Sequence, residues 1–521
     1  MLSQPVVAQV VPQSVDALFK QGETAQAAEN YTEAETIWRQ VIQLNSKDPI
    51  AHTHLCTAIY RQDRARDALE FCLWAIELDP NYAPAYNWLG SVLYALEDTE
   101  GAITNYNNAI ALDPTFQAPY VNLGDVLYIQ QRYEEAIAHY RYALQLDPSD
   151  VETYVTLGNA LDDSGNYEEA ITQYHRALEL EPNYVRAYYE LGVALEWHGN
   201  LDDALAAYQK VVELEPENSV AYAASGDVQF AQGQVEAAIA NYREAIARDP
   251  EYAYAYNALG RVLAHQGNPV EAATYFRKAI ACNPNYALAY RNLGNALYDQ
   301  GHYEEAILHY RRAISLDPET AEPYALLGHV LIRTHQFEEA QLQLQHALSL
   351  NPLPVWVHNE LGFVLWRRGR VAEAGLEFQQ ALELEPNNVQ AYGGLCLILA
   401  QQGQWDSALD ACHMATTLAP GDAMVHNNLG AVLLRQGQLV EAMETFHYAL
   451  TLPDVPGLGS PSAHAFAHRN LGTILWRQGN LQEALEEFTR AIEIAPDYED
   501  AQRDLRELQF QLQFPPAQEF A

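Results

Sequence analysis

Residues 117–150 read QAPYVNLGDVLYIQQRYEEAIAHYRYALQLDPSD. Tyr120, Leu123, Gly124 and Leu127 recur at helical spacing, and the polar run Gln130, Gln131, Arg132 breaks the pattern. A second apolar stripe follows at Tyr133, Ala136, Ile137, Tyr140, Ala143 and Leu144, closed by Asp147-Pro148. The stretch therefore predicts two helices joined by a short turn. Gly124 leaves room for two antiparallel helix axes to approach closely. Pro148 stops the second helix, because proline lacks a donor and disfavours helix in the residue before it.

This stretch is one copy of many. From Ala34 an alanine returns every 34 residues through Ala442, and the next is Ala484, 42 residues on, so eight residues are inserted there. Twelve residues before each alanine stands a small residue, from Gly22, Cys56 and Gly90 to Cys396, Gly430 and Gly472. Prolines keep the same register from Pro80 to Pro420. Fourteen repeats result: thirteen over residues 15–456 and a fourteenth over 465–498. Neither helix of a pair can bury its stripe alone, so the repeats must stack into an all-α solenoid.

The period changes what length and composition mean. By length alone, 521 residues suggest three or four globular domains; the repeat makes them one array. Acidic side chains number 69 against 29 basic, a net charge of −40, which argues against nucleic acid and anionic membrane surfaces as partners. An apolar fraction of 49 % excludes a disordered acidic chain, and no apolar run is long enough to span a bilayer. Of 33 tyrosines, nine fall at position 4 of a repeat and six at position 24, which marks them as inter-helix packing residues and not a stacking platform. The charge is uneven, −26 over residues 1–260 and −14 over 261–521.

The order Trp/Tyr-x-x-Leu-Gly, then Tyr, Ala, Phe/Tyr, Ala and Pro at these offsets resembles the tetratricopeptide repeat family, over 476 of the 521 residues. The resemblance implies a right-handed superhelix whose concave face is built by the first helix of each pair and binds other proteins. Positions 2, 5, 6, 9, 12 and 13 line that groove in the family. Early repeats supply Tyr94, Asp125, Tyr128, Glu152, Asp162, Asp163, Glu190, Glu196 and Asp227 there. Later repeats supply Arg261, Arg291, Asn292, Asn295, Arg333, Trp366, Arg367, Asn428, Arg435, Arg469, Asn470, Trp476 and Arg477. A groove acidic early and arginine-lined late fits extended or acidic peptide segments, with arginine forks and asparagine amides as the grips. A basic residue at position 13 is also ordinary for the motif, exposed near the turn. Chaperone-docking members place Lys at position 5 and Asn at position 9; Arg291 and Asn295 come nearest, and no lysine stands at position 5. Asparagine at position 6 is similar to the ladder of O-linked N-acetylglucosaminyltransferases, but Trp88, Thr156, Glu190, Leu326 and Glu360 interrupt it.

The reading is a protein-interaction scaffold. The alternatives are a substrate-selecting subunit of a separately encoded transferase and an assembly factor for envelope or membrane complexes. Enzymatic motifs are absent, so neither catalysis nor a cofactor is expected. Histidine pairs His52/His54 and His464/His468 lack the further ligands a metal needs, while His358, His426 and His468 stand where Tyr occupies position 4. Acid pairs such as Glu134-Glu135 open second helices, where negative charge suits the dipole. Cys56 and Cys72 occupy positions 8 and 24 of repeat two, and Cys396 and Cys412 the same positions of repeat twelve. These positions face each other, which allows two disulfides worth about 3 kcal/mol each, or pairs of small thiols filling small slots. Cys282 stands outside these two pairs and is read as buried.

Departures from the repeat mark the remaining boundaries. Residues 1–14 form a leader, either disordered in the cytoplasm or the remnant of a signal peptide if a longer precursor is exported. Residues 457–464 are an inserted Pro/Gly-rich loop, 499–514 a capping helix with Ala501, Leu505, Leu508 and Leu512 on one stripe, and 515–521 a tail. Repeats seven and eight break the core rules most, with Ser225, Gln229, Arg248 and Cys282 at apolar positions, and should open first.

Overall fold

The computed structural model describes residues 14–351, 354–454 and 462–513. These form twenty-nine α-helices and no strand, from Val15–Ala27 to Glu499–Gln513, in consecutive antiparallel pairs. The chain divides into two compact bodies, an N-terminal one ending at Pro250 and a C-terminal one starting at Glu251. The division falls at the turn from the seventh repeat into the eighth.

The quoted stretch folds into helices Ala118–Ile129 and Tyr133–Leu146. Between them Gln131 takes a left-handed φ of 60°, the turn that Gly165 (φ 87°) and Gly199 (φ 81°) make in the next two repeats. Several first helices are started by the acid or amide that ends the preceding repeat. Asp48 accepts from the backbone of Ile50 and Ala51, Asp150 from Thr153, and Asn388 from Ala391. Tyrosine at position 4 fixes the same joint from its other side. The hydroxyls of Tyr86, Tyr120, Tyr188 and Tyr324 donate to the carbonyls of Pro80, Pro114, Pro182 and Pro318 at 3.1–3.3 Å. His426 Nε2 reaches Pro420 in the same way at 3.0 Å, which explains one Tyr-to-His exchange. His358 and His468 instead pair with Glu377 and Glu487 on the second helix, at 2.8 and 2.6 Å.

The core slot of each repeat lies between positions 8 and 24. Tyr140, Tyr174 and Tyr208 are at most 2 % exposed, each ring lying against its repeat's glycine. A Cβ on Gly158 would stand 2.5 Å from the Tyr174 ring, so the glycine is what lets the ring in. Repeats two and twelve fill the slot differently. Cys56 and Cys72 are joined by a disulfide with Cα atoms 5.4 Å apart, and Cys396 and Cys412 with Cα atoms 5.0 Å apart. All four cysteines are fully buried, so a bridge occupies the place of glycine plus ring.

Several expectations need correction. Cys282 is half-buried and not buried, because position 30 lies at the fraying end of Pro269–Cys282. Ser225 is buried at an apolar position but satisfied, its hydroxyl donating to the Ala221 carbonyl at 2.8 Å. The Arg248 guanidinium lies over the Tyr222 ring at 4.5 Å and donates to the Pro216 carbonyl, so a cation–π contact and a hydrogen bond occupy the place of leucine. The helix of repeat fourteen runs Ala463–Arg477, so the inserted segment's last two residues are already helical, with Ser462 as cap. In the terminal helix Ala501 and Leu508 are buried, but Leu512 is 42 % exposed, so the covering stripe ends at Leu508. The leader, most of the inserted loop and the tail lie outside the described residues. No described helix is long and apolar enough to cross a membrane.

Candidate peptide-binding face

Consecutive first helices are tied by polar rungs between side chains 31–36 residues apart, within each body. In the C-terminal body Asn292 donates to Asn257 Oδ1 at 2.9 Å, and both are buried. Asn122 and Asn87 repeat that rung in the N-terminal body. Trp366 donates from Nε1 to Gln401 at 3.1 Å, and Trp476 to Gln511 at 2.7 Å. Arg291 pairs with Glu322 and hydrogen-bonds Asn292. Arg469 pairs with Asp504 of the terminal helix at 2.7 Å; burial works against its charge, but the carboxylate bond holds its pKa above the usual arginine range.

Much of the polarity read from the sequence as ligand-facing is thus spent within the chain. Asn292 and Arg469 belong to rungs. Asn470 donates to the Phe466 carbonyl of its own helix at 2.9 Å, and Asn428 makes only a long 3.5 Å contact with the Gly393 carbonyl. Asn295 Oδ1 accepts from the Tyr310 hydroxyl at 2.6 Å, and the residue is half-buried. Arg333 lies 5.9 Å over Tyr303, and Arg367 5.0 Å over Phe337. Three arginines remain: Arg261, Arg435 and Arg477 are exposed and have no side-chain partner among the described residues.

The acids of the N-terminal body are bound more tightly. Tyr140 donates to Asp125 at 2.7 Å, Tyr208 to Glu196 at 2.9 Å, Tyr242 to Asp227 at 2.8 Å and Tyr128 to Asp163 at 2.5 Å. Arg186 pairs with Glu152, and His198 with Asp162 at 3.0 Å. Burial raises the carboxyl pKa of Asp125, Glu190 and Glu196 above the usual range, outweighing hydrogen bonds that favour charge. Tyrosine at position 24 is therefore both core and brace. Its ring fills the slot, and its hydroxyl lies on a first-helix acid for Tyr140, Tyr208 and Tyr242, or on Ser91 and Asn159 for Tyr106 and Tyr174.

One cluster was not singled out from the sequence. His329 bridges Tyr298 (Nε2 to hydroxyl, 2.8 Å) and Glu360 (Nδ1 to Oε1, 2.5 Å), across three successive first helices. The available signal was an acid breaking the asparagine ladder at position 6, with a histidine at position 9 one repeat earlier. No group of three metal-binding side chains gathers among the described residues.

Tetratricopeptide-repeat families match residues 19–83, 90–162, 155–219 and 421–497, and the family described as the Cilia and flagella-associated protein 70 C-terminal domain matches 213–424. The chain belongs to the tetratricopeptide-repeat family. Its tandem repeats make it, in class, a protein-interaction scaffold. A curated relative, the TPR repeat-containing thioredoxin TTL4 of Arabidopsis thaliana, is 32 % identical over 73 residues, 14 % of this chain and 11 % of that protein. Among solved structures, the APC/C hetero-tetramer Cut9-Hcn1 aligns at 18 % identity and TM-score 0.43, covering 95 % of this chain and 96 % of that one. YrrB, described as a TPR protein with an unusual peptide-binding site, aligns at 26 % identity and TM-score 0.32 over 36 % of this chain and 98 % of that one. MamA aligns at 29 % identity and TM-score 0.30 over 33 % of this chain and 93 % of that one.

Proposed function

We propose that the protein gathers partner proteins by holding an extended peptide segment along the first helices of its C-terminal body. The observation that supports this is three unpaired cations in a chain with net charge −40. Acids outnumber bases more than two to one, yet Arg261, Arg435 and Arg477 have none beside them. Surface arginines in so acidic a chain are readily neutralised internally, as Arg291 and Arg469 are. Two of them, Arg435 and Arg477, stand at position 13 of the last two repeats, the second beside Trp476, which gives a carboxylate-bearing peptide bidentate contacts and an aromatic edge. Asn295, with its carbonyl held by Tyr310, offers amide donors to a peptide carbonyl.

The test is selection of a random twelve-residue displayed library on the full-length protein, with Arg435→Glu/Arg477→Glu as comparison. The reading expects a consensus containing acidic residues that the double variant no longer selects. Selection of the same consensus by both proteins would count against it.

A further inference from the structure

Helix Val355–Arg367 carries Trp356, Glu360 and Phe363 at spacings of four and three, so all three lie on one face. Glu360 is only 8 % exposed. Its Oε1 is held by His329 Nδ1, and the Tyr298 hydroxyl lies on the other ring nitrogen. With Glu360 ionised and His329 neutral, Nδ1–H donates to the carboxylate and the Tyr298 O–H donates to Nε2. The second carboxylate oxygen, Oε2, is buried and has no hydrogen-bond partner. Leaving one oxygen of a buried carboxylate without a donor is costly, and such a cost is kept where a ligand relieves it.

The chain itself shows what this oxygen accepts. Asp504 occupies the same position of the terminal helix and is also buried, and there Arg469, at position 5 of the preceding repeat, supplies its cation at 2.7 Å. The residue corresponding to Arg469 beside Glu360 is Ala325, fully buried and without a donor. The rung is built, but its cation is missing. Two aromatic rings lie beside His329, the half-buried Trp356 at 6.1 Å and Tyr298 at 5.1 Å between ring centroids, and such rings favour a nearby cation.

We propose that Tyr298, His329, Trp356 and Glu360 form a subsite for a cationic side chain, the lysine or arginine of a peptide lying on the first-helix face. The subsite rests on the peptide-binding reading and refines it. The bound segment carries a basic residue at one fixed place among the acidic ones that Arg435 and Arg477 favour. His329 acts as a positioning residue, holding Oε1 and leaving Oε2 as the acceptor that a cation entering beside Ala325 would reach. The cation completes the rung that Arg469 makes internally elsewhere.

The library selection is repeated on the full chain carrying Glu360→Gln, which keeps an acceptor for His329, and on Ala325→Arg, which supplies the missing cation from within. Thermal melts establish that each variant is folded. The wild-type pool should hold Lys or Arg at one invariant position. In both variants that position should lose its preference while the rest of the consensus persists. A synthetic peptide from the wild-type pool should bind Glu360→Gln at least about tenfold more weakly. A wild-type consensus without a fixed basic position, or one whose basic position survives Glu360→Gln, overturns the subsite and leaves peptide binding standing. A library that yields no consensus on the wild type overturns peptide binding and the subsite together.

Discussion

Replacing both Cys56 and Cys72 by the pair that fills the same slot in neighbouring repeats, Cys56→Gly with Cys72→Tyr, should leave repeat two nearly as stable as it is. Cys56 and Cys72 are 16 residues apart and fully buried. Cutting the bridge, as in Cys72→Ala, removes a loop constraint worth about 3 kcal/mol. Restoring an aromatic ring returns about 2–3 kcal/mol of burial, provided a glycine makes room. That proviso is quantitative: in repeat three a Cβ on Gly90 would already lie 2.7 Å from the Tyr106 ring. The single variant Cys72→Tyr, with Cys56 retained, therefore loses the bridge and adds about 1–3 kcal/mol of overpacking. The expected order of stability is wild type, the double variant within about 1 kcal/mol below it, then Cys72→Ala, then Cys72→Tyr. A repeat array does not unfold as one two-state unit, so the assay is local. Hydrogen exchange is followed in helices Pro49–Tyr60 and Ala65–Leu78, with and without reductant. The double variant should be insensitive to reductant, whereas the wild type loses protection. A double variant no better protected than Cys72→Ala would refute the equivalence of bridge and ring.

Two further outcomes follow from buried charge. Asp125, Glu190, Glu196 and Glu360 all have carboxyl pKa values raised by burial. Between the unfolded and folded values the folded chain binds more protons, so stability falls as pH rises through that interval. Burial also lowers the pKa values of His54, His139 and His309, which act in the opposite sense, so the acids are read by difference. Glu196→Gln should lose less stability in urea than the wild type as pH rises from acid to neutral, and an unchanged pH dependence would contradict this. Arg469→Ala should leave the buried Asp504 only its long 3.5 Å contact with Arg503, at a cost of about 1–3 kcal/mol, and loosen helix Glu499–Gln513. Limited proteolysis should then cut first within 499–513, and an unchanged cleavage pattern would argue that the pair carries little of the docking.

The repeat was legible because its determinants are local and chemically narrow. The slot between positions 8 and 24 admits a ring only beside glycine, and a carbonyl 6 residues back fixes Tyr120 or His426. Both signals recur every 34 residues and need no partner from far away. The face was less legible because its polar residues are spoken for by neighbours one repeat on. Nothing near Arg469 in sequence shows that Asp504 neutralises it, or that Gln511 receives the Trp476 indole. Glu360 read as a gap in an asparagine ladder; it becomes informative only when Ala325 is placed opposite it. Arg248 read as a core defect, while its guanidinium finds the Tyr222 ring and the Pro216 carbonyl, both distant from it in sequence. Even so, the chain's division at Pro250/Glu251 coincides with the joint where those departures concentrate.

Peptide binding on the first helices is best decided by hydrogen–deuterium exchange of the full chain, with and without a peptide taken from the selected pool. Protection should appear in Val355–Arg367, Ala423–Gln436 and Ala463–Arg477, the first helices that carry Glu360, Arg435 and Arg477. Their partners Val371–Leu384, Leu439–Thr451 and Leu481–Ile494 should exchange as before. Protection confined to those second helices, with the peptide bound, would contradict the assignment of the binding face.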